Sequence, residues 1–318
     1  MPAITEMTYR FLGRTDLNVS RVTLGGGGPS RLGLTQAGGA ENVDRLVKQA
    51  VDLGINLIDT APGYGTEESI GQALESVTER VYIATKVWCY STPDVTNPHQ
   101  PPLTDPHHLI ESVEKSLKAL RRDRIDLLQL HGVPGPAVES MTEHFLPAMQ
   151  QLQKEGKIRH IGITEHPGID PDQDMAIKVC HSELFDTLMI QYGIFDQLAQ
   201  HRTFELASRH KIGVLCMCAA RAAFTNPQAL RTRLSRILPE KNYSLDFLLQ
   251  GSVHSYADAA FQFAAARKEI DTIVVGTSRV DHLIQSSRAI LGDSLPQTHT
   301  LKLEQDFGHT KGEELWND

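Results

Sequence analysis

Short apolar runs rich in β-branched residues alternate eight times with amphipathic runs of helical period along this chain. The alternation predicts eight strand-helix units. Strands that alternate with helices of this length pair in parallel through right-handed crossovers, and eight such units close into a barrel. We therefore predict an α/β fold, a TIM (β/α)8 barrel. The predicted strands are 21–24, 55–58, 81–85, 126–130, 159–163, 187–190, 213–217 and 272–275. The predicted helices are 40–53, 67–76, 107–120, 138–155, 171–181, 200–210, 254–269 and 280–290.

Residues 8–20 precede the first barrel strand and carry the turn residues TDLN, which predicts an N-terminal β-hairpin. An open, doubly wound sheet is the alternative for alternating strands and helices. It needs a G-x-G-x-x-G fingerprint after the first strand, and GGGGPS at 25–30 lacks that spacing. At 318 residues the chain fits one barrel domain over 1–318, because such barrels commonly need about 250 residues.

The charge balance disfavours some classes of partner. With 31 basic and 39 acidic residues the net charge is −8, and the basic residues form no dense block. Nucleic-acid binding needs a clustered basic surface, so we expect none. The longest apolar stretches are strand-sized, whereas a membrane span needs roughly 20 residues, and the N-terminus does not resemble a signal peptide. We expect a cytoplasmic enzyme with a small-molecule substrate and no membrane partner; the sequence does not indicate an oligomeric state.

The four cysteines, Cys89, Cys180, Cys216 and Cys218, include no C-x-x-C pair. The chain is large enough to bury its own core, so we expect reduced and mostly buried thiols. Cys216 and Cys218 alternate along a predicted strand and would share one of its faces. No metal site is predicted.

Three connections are too long for simple barrel loops: 87–106, 218–253 and 291–318. Long connections in compact domains are usually functional or disordered. One interpretation is that these three connections are mobile surface loops. Because all three would lie beside the open end of the barrel, we favour a role in shaping a substrate pocket.

Four residues suited to proton chemistry follow successive predicted strands: Asp59, Tyr64, Lys86 and His131. Catalytic side chains of such barrels converge at the C-terminal ends of the strands. Buried Lys and Asp are rare unless paired, and an ion pair kept only for stability gains little over apolar packing. In the alternative interpretation both residues are structural: Tyr64 is an aromatic residue at the rim of the barrel, and His131 is a hydrogen-bonded histidine of the core.

Six segments carry a specific resemblance. They are GINLIDTAPGYGTEESIGQAL at 54–74, the TK of Thr85 and Lys86, LLQLHG around His131, EGKIRHIGI at 155–163, the Gln191–Tyr192 pair and VVGTSR at 274–279. In their order and spacing the chain resembles the aldo-keto reductase family over nearly its whole length. Within it, GKIRHIGIT is most similar to bacterial and plant sugar or lactol dehydrogenases.

The resemblance implies hydride transfer between a nicotinamide cofactor and a carbonyl or alcohol. A free phenol with a pKa near 10 is too weak an acid to protonate the developing alkoxide well. Lys86 beside Tyr64 is expected to lower the pKa of the phenol, and Asp59 to orient Lys86 as its counter-ion. His131 would position the carbonyl or assist proton transfer. The family's catalytic tetrad maps onto these four residues without substitution.

By resemblance, the nicotinamide carboxamide lies against Thr164, Glu165 and Gln191. Most members carry Ser-Asn where Thr164 and Glu165 stand, and an ionised Glu165 can only accept hydrogen bonds. It would also place a negative charge near a ring that becomes positive on oxidation. Met217 stands where many members have an aromatic residue stacked on the ring, and its polarizable sulfur can still cover that ring.

The other end of the cofactor is expected to bind along 274–287. Arg279 matches a position from which relatives reach the 2′-phosphate of NADPH, and its planar fork suits that anion. Gly276 and Gln285 replace residues typical of NADPH-dependent members, so NADH stays the alternative to NADPH. The amides after Thr277 and Ser278 open the last helix and favour an anion in either case.

Substrate identity is not encoded visibly. Trp88, with Cys89 and Tyr90, would form a wall beside Tyr64, although ordinary packing under a loop also explains it. Arg221 and Phe224 would border the pocket. The alternatives to a reductase are a sugar or lactol dehydrogenase that works in the oxidative direction and a cofactor-binding regulatory subunit. A metal-dependent hydrolase would need His and Asp at several strand ends, and the chain does not offer them.

Overall fold

The structure is a computed structural model, and it describes residues 6–91, 101–239 and 242–310. These residues form ten β-strands and twelve α-helices. The strands are β1 (Tyr9–Phe11), β2 (Asn18–Ser20), β3 (Val22–Gly25), β4 (Leu57–Asp59), β5 (Tyr82–Trp88), β6 (Ile125–His131), β7 (Ile158–Thr164), β8 (Thr187–Gln191), β9 (Gly213–Met217) and β10 (Thr272–Gly276). The helices are α1 (Gly39–Asp52), α2 (Glu67–Leu74), α3 (Pro106–Leu120), α4 (Val138–Lys154), α5 (Asp174–Ser182), α6 (Leu198–Arg202), α7 (Phe204–Arg209), α8 (Ala222–Thr225), α9 (Pro227–Ile237), α10 (Tyr256–Ala265), α11 (Val280–Leu291) and α12 (Gln297–Phe307).

Strands β3 to β10 form a closed barrel in chain order, with β10 paired to β3. All neighbouring strands of the barrel are parallel. This confirms the predicted (β/α)8 barrel. Strands β1 and β2 pair antiparallel, with Tyr9 opposite Ser20, which confirms the N-terminal hairpin.

Successive side chains of the barrel strands alternate between an outer layer under the helices and the barrel interior. The interior layer is apolar and includes Leu57 of β4, Tyr82 and Ala84 of β5, Leu127 of β6 and Met189 of β8. Further along these four strands, at every second residue, the inward positions are polar. These positions are Asp59, Lys86, Gln129, His131 and Gln191. The period of two therefore places a polar layer at the C-terminal end of an apolar barrel.

The N-terminal hairpin closes the opposite end of the barrel. Leu12 and Leu17, in the turn between β1 and β2, are fully buried in the interior layer. The turn approaches the start of β9 so closely that a Cβ atom on Gly13 would lie 2.1 Å from the backbone nitrogen of Gly213. Gly13 also has a φ of +53°, so only glycine fits there. The barrel interior opens at the C-terminal ends of its strands.

The segment 218–253, predicted as a long connection, contains the helices α8 and α9. The start of α9 has a clear cause in the sequence. The Asn226 side chain accepts hydrogen bonds from the amides of Gln228 and Ala229, and Pro227 occupies the first helical position. Both features are typical of helix N-termini.

The tail 291–318 is also helical in its described part, where α12 packs on the segment after β8. The rings of Phe195 and Phe307 have centroids 5.1 Å apart, and Gln197 Nε2 donates to the carbonyl oxygen of Leu303 at 3.0 Å. Helix α12 therefore packs, through Phe307, against Phe195 in the loop at the C-terminal end of β8. Residues 92–100 of the predicted connection 87–106 lie outside the described residues, as do 240–241 and 311–318.

Helix bounds differ from the prediction in three places. The helix predicted over 171–181 begins at Asp174, and the one predicted over 254–269 ends at Ala265. The helix predicted over 200–210 is two short helices, α6 and α7, which meet at Thr203. Within the described ranges, no helix combines the length and the apolar character needed to cross a membrane.

Candidate active site

Asp59 and Lys86 form a buried ion pair at the open end of the barrel. Lys86 Nζ lies 2.7 and 2.6 Å from the two carboxylate oxygens of Asp59 and donates to the carbonyl oxygen of Thr60 at 2.9 Å. Burial alone would lower the pKa of Lys86, but the Asp59 carboxylate raises it above its ordinary value. The ammonium therefore stays charged. Such a pair adds little stability over apolar packing, which indicates that its charge serves chemistry.

Tyr64 lies beside this pair, in the single helical turn Pro62–Tyr64 that follows β4. Lys86 Nζ is 4.9 Å from the centroid of the Tyr64 ring. The Tyr64 hydroxyl oxygen lies 3.3 Å from Nε2 of His131. A Cβ atom on Gly27 would lie 2.5 Å from Cε2 of Tyr64. The loop after β3 therefore needs glycine at the position where it passes the Tyr64 ring. The structure thus brings the four residues of the predicted tetrad together.

The Tyr64 phenol is protonated at neutral pH. Burial raises the pKa of Tyr64 above its ordinary value of 10.0, and the Lys86 ammonium opposes this rise without cancelling it. Lys86 therefore lowers the pKa of the phenol as expected, but the desolvation of the phenolate outweighs its attraction to the ammonium, so the net pKa is raised. A protonated phenol is the form that can donate a proton, and Lys86 stabilises the phenolate that would remain.

His131 is a neutral imidazole. Burial, the Lys86 charge and the neighbouring His166 hold the pKa of His131 well below its usual range. Its ring packs edge-on against Trp88, with centroids 5.4 Å apart, and the strand register pairs the two residues. A neutral imidazole carries one N–H and one acceptor nitrogen. His131 can therefore offer a hydrogen bond without adding a charge to the site.

Thr164, Glu165 and Gln191 lie at the ends of the adjacent strands β7 and β8. Thr164 Oγ1 accepts a hydrogen bond from the amide of Gly132 at 2.8 Å, and Glu165 Oε1 accepts one from the amide of Gln191. Glu165 Oε2 and Gln191 Oε1 are buried without a hydrogen-bond partner among the described residues. Buried polar atoms of this kind are uncommon. They fit a carboxamide, which has both a donor and an acceptor, so the residues present suit a nicotinamide.

The surroundings of Glu165 disfavour the ionised form that would act only as an acceptor. Burial, and next the carboxyl group of Asp196, raise the pKa of Glu165 well above its ordinary value. The side chain is 3% exposed. The protonated form of Glu165 is therefore favoured, because no opposite charge offsets the cost of burying its anion.

The remaining predicted cofactor residues line the strand ends β9 and β10. Met217 is half-buried and packs against the interior layer. Beyond Gly276, Thr277 Oγ1 accepts from the amide of Arg279 at 3.1 Å, and Ser278 Oγ accepts from Gln36 Nε2 at 3.2 Å. Helix α11 begins directly afterwards, so its N-terminal amides face this loop and favour an anion.

Arg279 and Gln285 both have partners in the structure. Arg279 forms a two-contact ion pair with Asp281, in which Nε lies 2.9 Å from Oδ1 and Nη2 contacts Oδ2. Both side chains are more than half exposed, with values of 61% and 62%, so the pair is weak and a competing anion can displace Asp281. Gln285 Nε2 donates to Ser255 Oγ and Asp258 Oδ1 at the start of α10. Its amide nitrogen is therefore directed to α10.

Two of the predicted pocket residues, Trp88 and Tyr90, lie together beside His131. Trp88 is half-buried, and Tyr90 packs against it with ring centroids 5.3 Å apart. Tyr90 is 8% exposed and donates from its hydroxyl to the carbonyl oxygen of Gly132 at 3.3 Å. Tyr90 therefore supports the wall that Trp88 presents and does not itself line the opening.

The other two, Arg221 and Phe224, lie across the barrel beside β8 and β9. They line a small cavity of about 20 Å³, whose wall also includes Gln191, Asp196 and Cys218. Phe224 is packed against Phe195 with ring centroids 4.9 Å apart. This cavity adjoins the tetrad without including it, so the four predicted pocket residues divide between opposite sides of the opening.

Gln129 is a residue of the site that was not predicted from the sequence. Its Nε2 donates to Asp59 Oδ1 at 3.3 Å, and the residue is fully buried. The parallel register places it beside Lys86. The signal was present in the sequence, because Gln129 interrupts an apolar strand two residues before His131 and so shares its face.

All four cysteines are free, and Cys89, Cys180 and Cys216 are buried, as expected. Where the structure describes the chain, no group of three or more His, Cys, Asp or Glu side chains is placed to hold a metal ion.

Comparisons with known proteins agree with this geometry. The model of the Aldo/keto reductase family matches residues 24–298. YhdN, an aldo-keto reductase of Bacillus subtilis, is 32% identical over 66% of this chain, and the match spans 61% of YhdN. L-galactose dehydrogenase of Arabidopsis thaliana is 28% identical over 90% of this chain and 89% of its own length. This relative agrees with the expected similarity to sugar dehydrogenases.

Among solved structures, the holo form of the aldo-keto reductase AKR11C1 from Bacillus halodurans is similar, with a TM-score of 0.71 and 25% identity over 93% of this chain and 96% of that one. The barrel, the placement of the tetrad at its open end and the family match over residues 24–298 lead to one conclusion. The chain belongs to the aldo/keto reductase family and is an NAD(P)H-dependent carbonyl oxidoreductase.

Proposed function

We propose that this protein reduces the carbonyl group of an aldehyde, ketone or sugar with NADPH, and that Tyr64 is its general acid. One observation carries the proposal: the Tyr64 hydroxyl and His131 Nε2 lie 3.3 Å apart at the open end of the barrel, with the Lys86 ammonium beside the ring. Two hydrogen-bonding groups at this separation can address the same substrate oxygen.

In the reductive direction, bound NADPH supplies a hydride to the carbonyl carbon. His131 and Tyr64 orient the carbonyl oxygen from its two sides. As the C=O double bond becomes a single bond, the Tyr64 O–H proton moves to the developing alkoxide and leaves a phenolate. The alcohol departs, and a proton from solvent restores the phenol. In the oxidative direction the phenolate removes the proton of the alcohol.

Lys86 and Asp59 support this step without touching the substrate. The Lys86 ammonium stabilises the phenolate more than it affects the neutral phenol, so it lowers the free energy of the proton-transfer state. Asp59 keeps the ammonium charged and fixes it through two contacts. The neutral state of His131 keeps a second positive charge out of the site, where it would compete with Lys86 for the phenolate.

The cofactor preference rests on Arg279. It is the basic side chain that precedes the N-terminus of α11, and among the described residues it forms a weak, exposed pair with Asp281. A 2′-phosphate dianion offers stronger charge-assisted hydrogen bonds than the Asp281 carboxylate. NADH is the second candidate, because Gly276 supplies no charge and Asp281 would repel the phosphate.

The substrate opening combines the aromatic wall of Trp88 with the polar side that holds Arg221. An aromatic face and hydrogen-bonding groups together suit a sugar or another polar carbonyl compound. The similarity to L-galactose dehydrogenase favours the oxidative direction as the alternative. The tetrad chemistry is reversible and serves either direction.

The test is a single-turnover experiment with the purified protein loaded with NADPH and mixed with a generic aldehyde. We expect the absorbance of the reduced nicotinamide to disappear in the wild type. The Tyr64→Phe variant should bind NADPH with similar affinity and lose at least about a thousandfold in rate, because the proton donor is absent. A Tyr64→Phe rate within tenfold of wild type would contradict the role of Tyr64. A wild type that binds NADPH tightly without any turnover would favour a regulatory subunit.

A further inference from the structure

Tyr64 lies between two glycines in the short turn that follows β4. Gly63 precedes it and Gly65 follows it, and Gly65 has a φ of +73°. Glycine loses more backbone freedom on ordering than any other residue. A segment with glycine on both sides of Tyr64 therefore has little intrinsic tendency to keep one conformation. The orientation of the Tyr64 ring depends on contacts that hold the ends of this turn.

Helix α2 follows the turn, and the residues at its start attach it to the barrel. Thr66 Oγ1 lies 2.9 Å from Thr60 Oγ1 and donates to the carbonyl oxygen of Gly26 at 3.2 Å. Glu67 Oε1 accepts a hydrogen bond from Thr85 Oγ1 at 2.6 Å. The side chains of both contacts are buried. Two hydrogen-bonding side chains thus hold the C-terminal end of the turn.

The Glu67 contact reaches the strand that carries Lys86. Thr85 directly precedes Lys86 on β5, so its side chain points to the helix layer while that of Lys86 points into the barrel. Glu67 is 6% exposed, and Ser116 of α3 lies beside the same carboxyl group. The hydrogen bond between Glu67 and Thr85 therefore joins the helix that follows Tyr64 to the residue next to Lys86.

A buried carboxyl group is a costly means of packing a helix against a strand. It loses its hydration on folding, and hydrogen bonds return only part of that cost. Ile70 and Leu74 of the same helix pack into the core without this cost. A short hydrogen bond adds direction, because it weakens steeply when its geometry is disturbed. The contact of Glu67 with Thr85 therefore fixes the position of α2 along β5 more sharply than apolar packing alone.

We propose that Glu67 is a positioning residue for carbonyl reduction: through Thr85 it holds the Tyr64 turn at its working distance from Lys86. Lys86 Nζ lies 4.9 Å from the centroid of the Tyr64 ring, and its attraction to a phenolate falls as the two separate. A displaced turn would also misalign the hydroxyl with the substrate oxygen. Glu67 lies in the helix layer, so it acts through these residues. The inference rests on the proposed role of Tyr64 as general acid.

The first experiment measures kcat, KM for a generic aldehyde and NADPH affinity in variants of this contact. Glu67→Ala removes the acceptor, Thr85→Val removes the donor at nearly constant shape, and Glu67→Gln keeps an oxygen that can accept from the hydroxyl. We expect the first two to lose about tenfold to a hundredfold in kcat, the range for a misplaced catalytic group. KM and NADPH affinity should hardly change, and Glu67→Gln should retain most of kcat.

The matched control is Glu68→Ala, which removes the exposed carboxyl group of the next residue and should leave kcat unchanged. Circular dichroism checks that each variant is folded at the assay temperature. A purely structural role predicts lower stability with wild-type kcat in the folded protein, and that result for Glu67→Ala or Thr85→Val would overturn the proposal. If Glu67→Ala fails to fold, the comparison of Thr85→Val with Glu68→Ala decides.

Double variants test whether the contact acts as one unit and through Tyr64. Glu67→Ala with Thr85→Val should be about as slow as the slower single variant, because both changes break the same hydrogen bond. In the Tyr64→Phe background, Glu67→Ala should not lower the residual single-turnover rate further, since the group that it positions has lost its hydroxyl. Losses that multiply in either pair would overturn the proposal.

These outcomes are distinguishable from failure of the proposed function. If Tyr64 were not the general acid, Tyr64→Phe alone would keep its turnover. If Glu67 had no positioning role, Tyr64→Phe would still be inactive, and Glu67→Ala would reduce the aldehyde at the wild-type rate.

Discussion

Gln129 Nε2 donates to Asp59 Oδ1 at 3.3 Å, two strands away around the barrel, so a neutral amide shares the carboxylate that holds Lys86. The register that pairs Lys86 with Gln129 puts both side chains on the same level of the barrel interior. Asp59 is therefore held by an ammonium and an amide. These two contacts fix the orientation of the Asp59 carboxylate toward Lys86. Because Lys86 lies beside the Tyr64 ring, they also determine the electrostatic environment of the phenol.

Replacing Gln129 with Leu should reduce kcat/KM by about tenfold to a hundredfold, the range for a hydrogen bond to a charged group. Cofactor affinity should hardly change, because Gln129 lies beneath the tetrad. The measurement is the pH profile of kcat, which should shift when the carboxylate is less well held. Gln151→Leu, on the exposed side of α4, is the matched control. An unchanged pH profile with lower stability would mean that Gln129 only packs.

Replacing Lys86 with Met should lower the free energy of unfolding by about 3–5 kcal/mol, because the Asp59 carboxylate would be left buried without its partner. Urea denaturation followed by circular dichroism measures this loss. The double variant Asp59→Asn with Lys86→Met should recover much of the stability and none of the carbonyl reduction. If the double variant regained turnover, the phenol would have to be supported by another group.

Replacing Arg279 with Ala should weaken NADPH binding by about 1.5–3 kcal/mol, the usual contribution of a charged hydrogen bond. NADH binding is the internal control and should stay the same. Asp281→Asn should tighten NADPH binding, since it removes both the competitor for Arg279 and a charge that repels the phosphate. Parallel fluorescence titrations of both cofactors measure these effects. Equal weakening of both by Arg279→Ala would assign Arg279 to the pyrophosphate or to the start of α11.

Replacing Asp196 with Asn should change how stability depends on pH. Burial raises the pKa of Asp196 from 3.8 to about 7 in the folded protein. Between these two values the unfolded chain gives up this proton before the folded one does, so the wild type loses stability as pH rises from about 4 to 7, by up to about 4 kcal/mol. The Asn variant lacks this loss. Urea unfolding at pH 5 and pH 8 tests it, with the exposed Asp293→Asn as control; a constant difference between variant and wild type at both pH values would contradict the raised pKa.

The barrel and its tetrad were predictable because each follows from local patterns. The apolar runs of 55–58, 81–85 and 126–130 correspond to β4, β5 and β6, and the residues that end them carry the chemistry. The period of two then decides which side chains face inward. These patterns determine which segments become strands or helices. The division of the helix predicted over 200–210 into two helices at Thr203 depends on tertiary packing, which the helical period does not encode.

Protonation states were less predictable, because they depend on burial and on distant parts of the chain. Asp196 approaches Glu165 from a different strand end, and no sequence spacing reveals that contact. The pKa of Tyr64 likewise depends on how completely the site is closed, which the presence of Lys86 in the sequence does not determine. Helix α9 could have been predicted from Asn226 and Pro227, whose residue types mark a helix start.

The hairpin that closes the lower end of the barrel also controls how the site regains its proton. Leu12, Leu17 and the apolar residues above them close the lower end, so we expect water to reach Tyr64 through the upper opening, which the substrate itself fills. After each reduction, solvent can reprotonate the Tyr64 phenolate only when the alcohol has left the opening. Reprotonation of Tyr64 therefore follows product release, and the proton donated in one turnover is replaced before the next turnover begins.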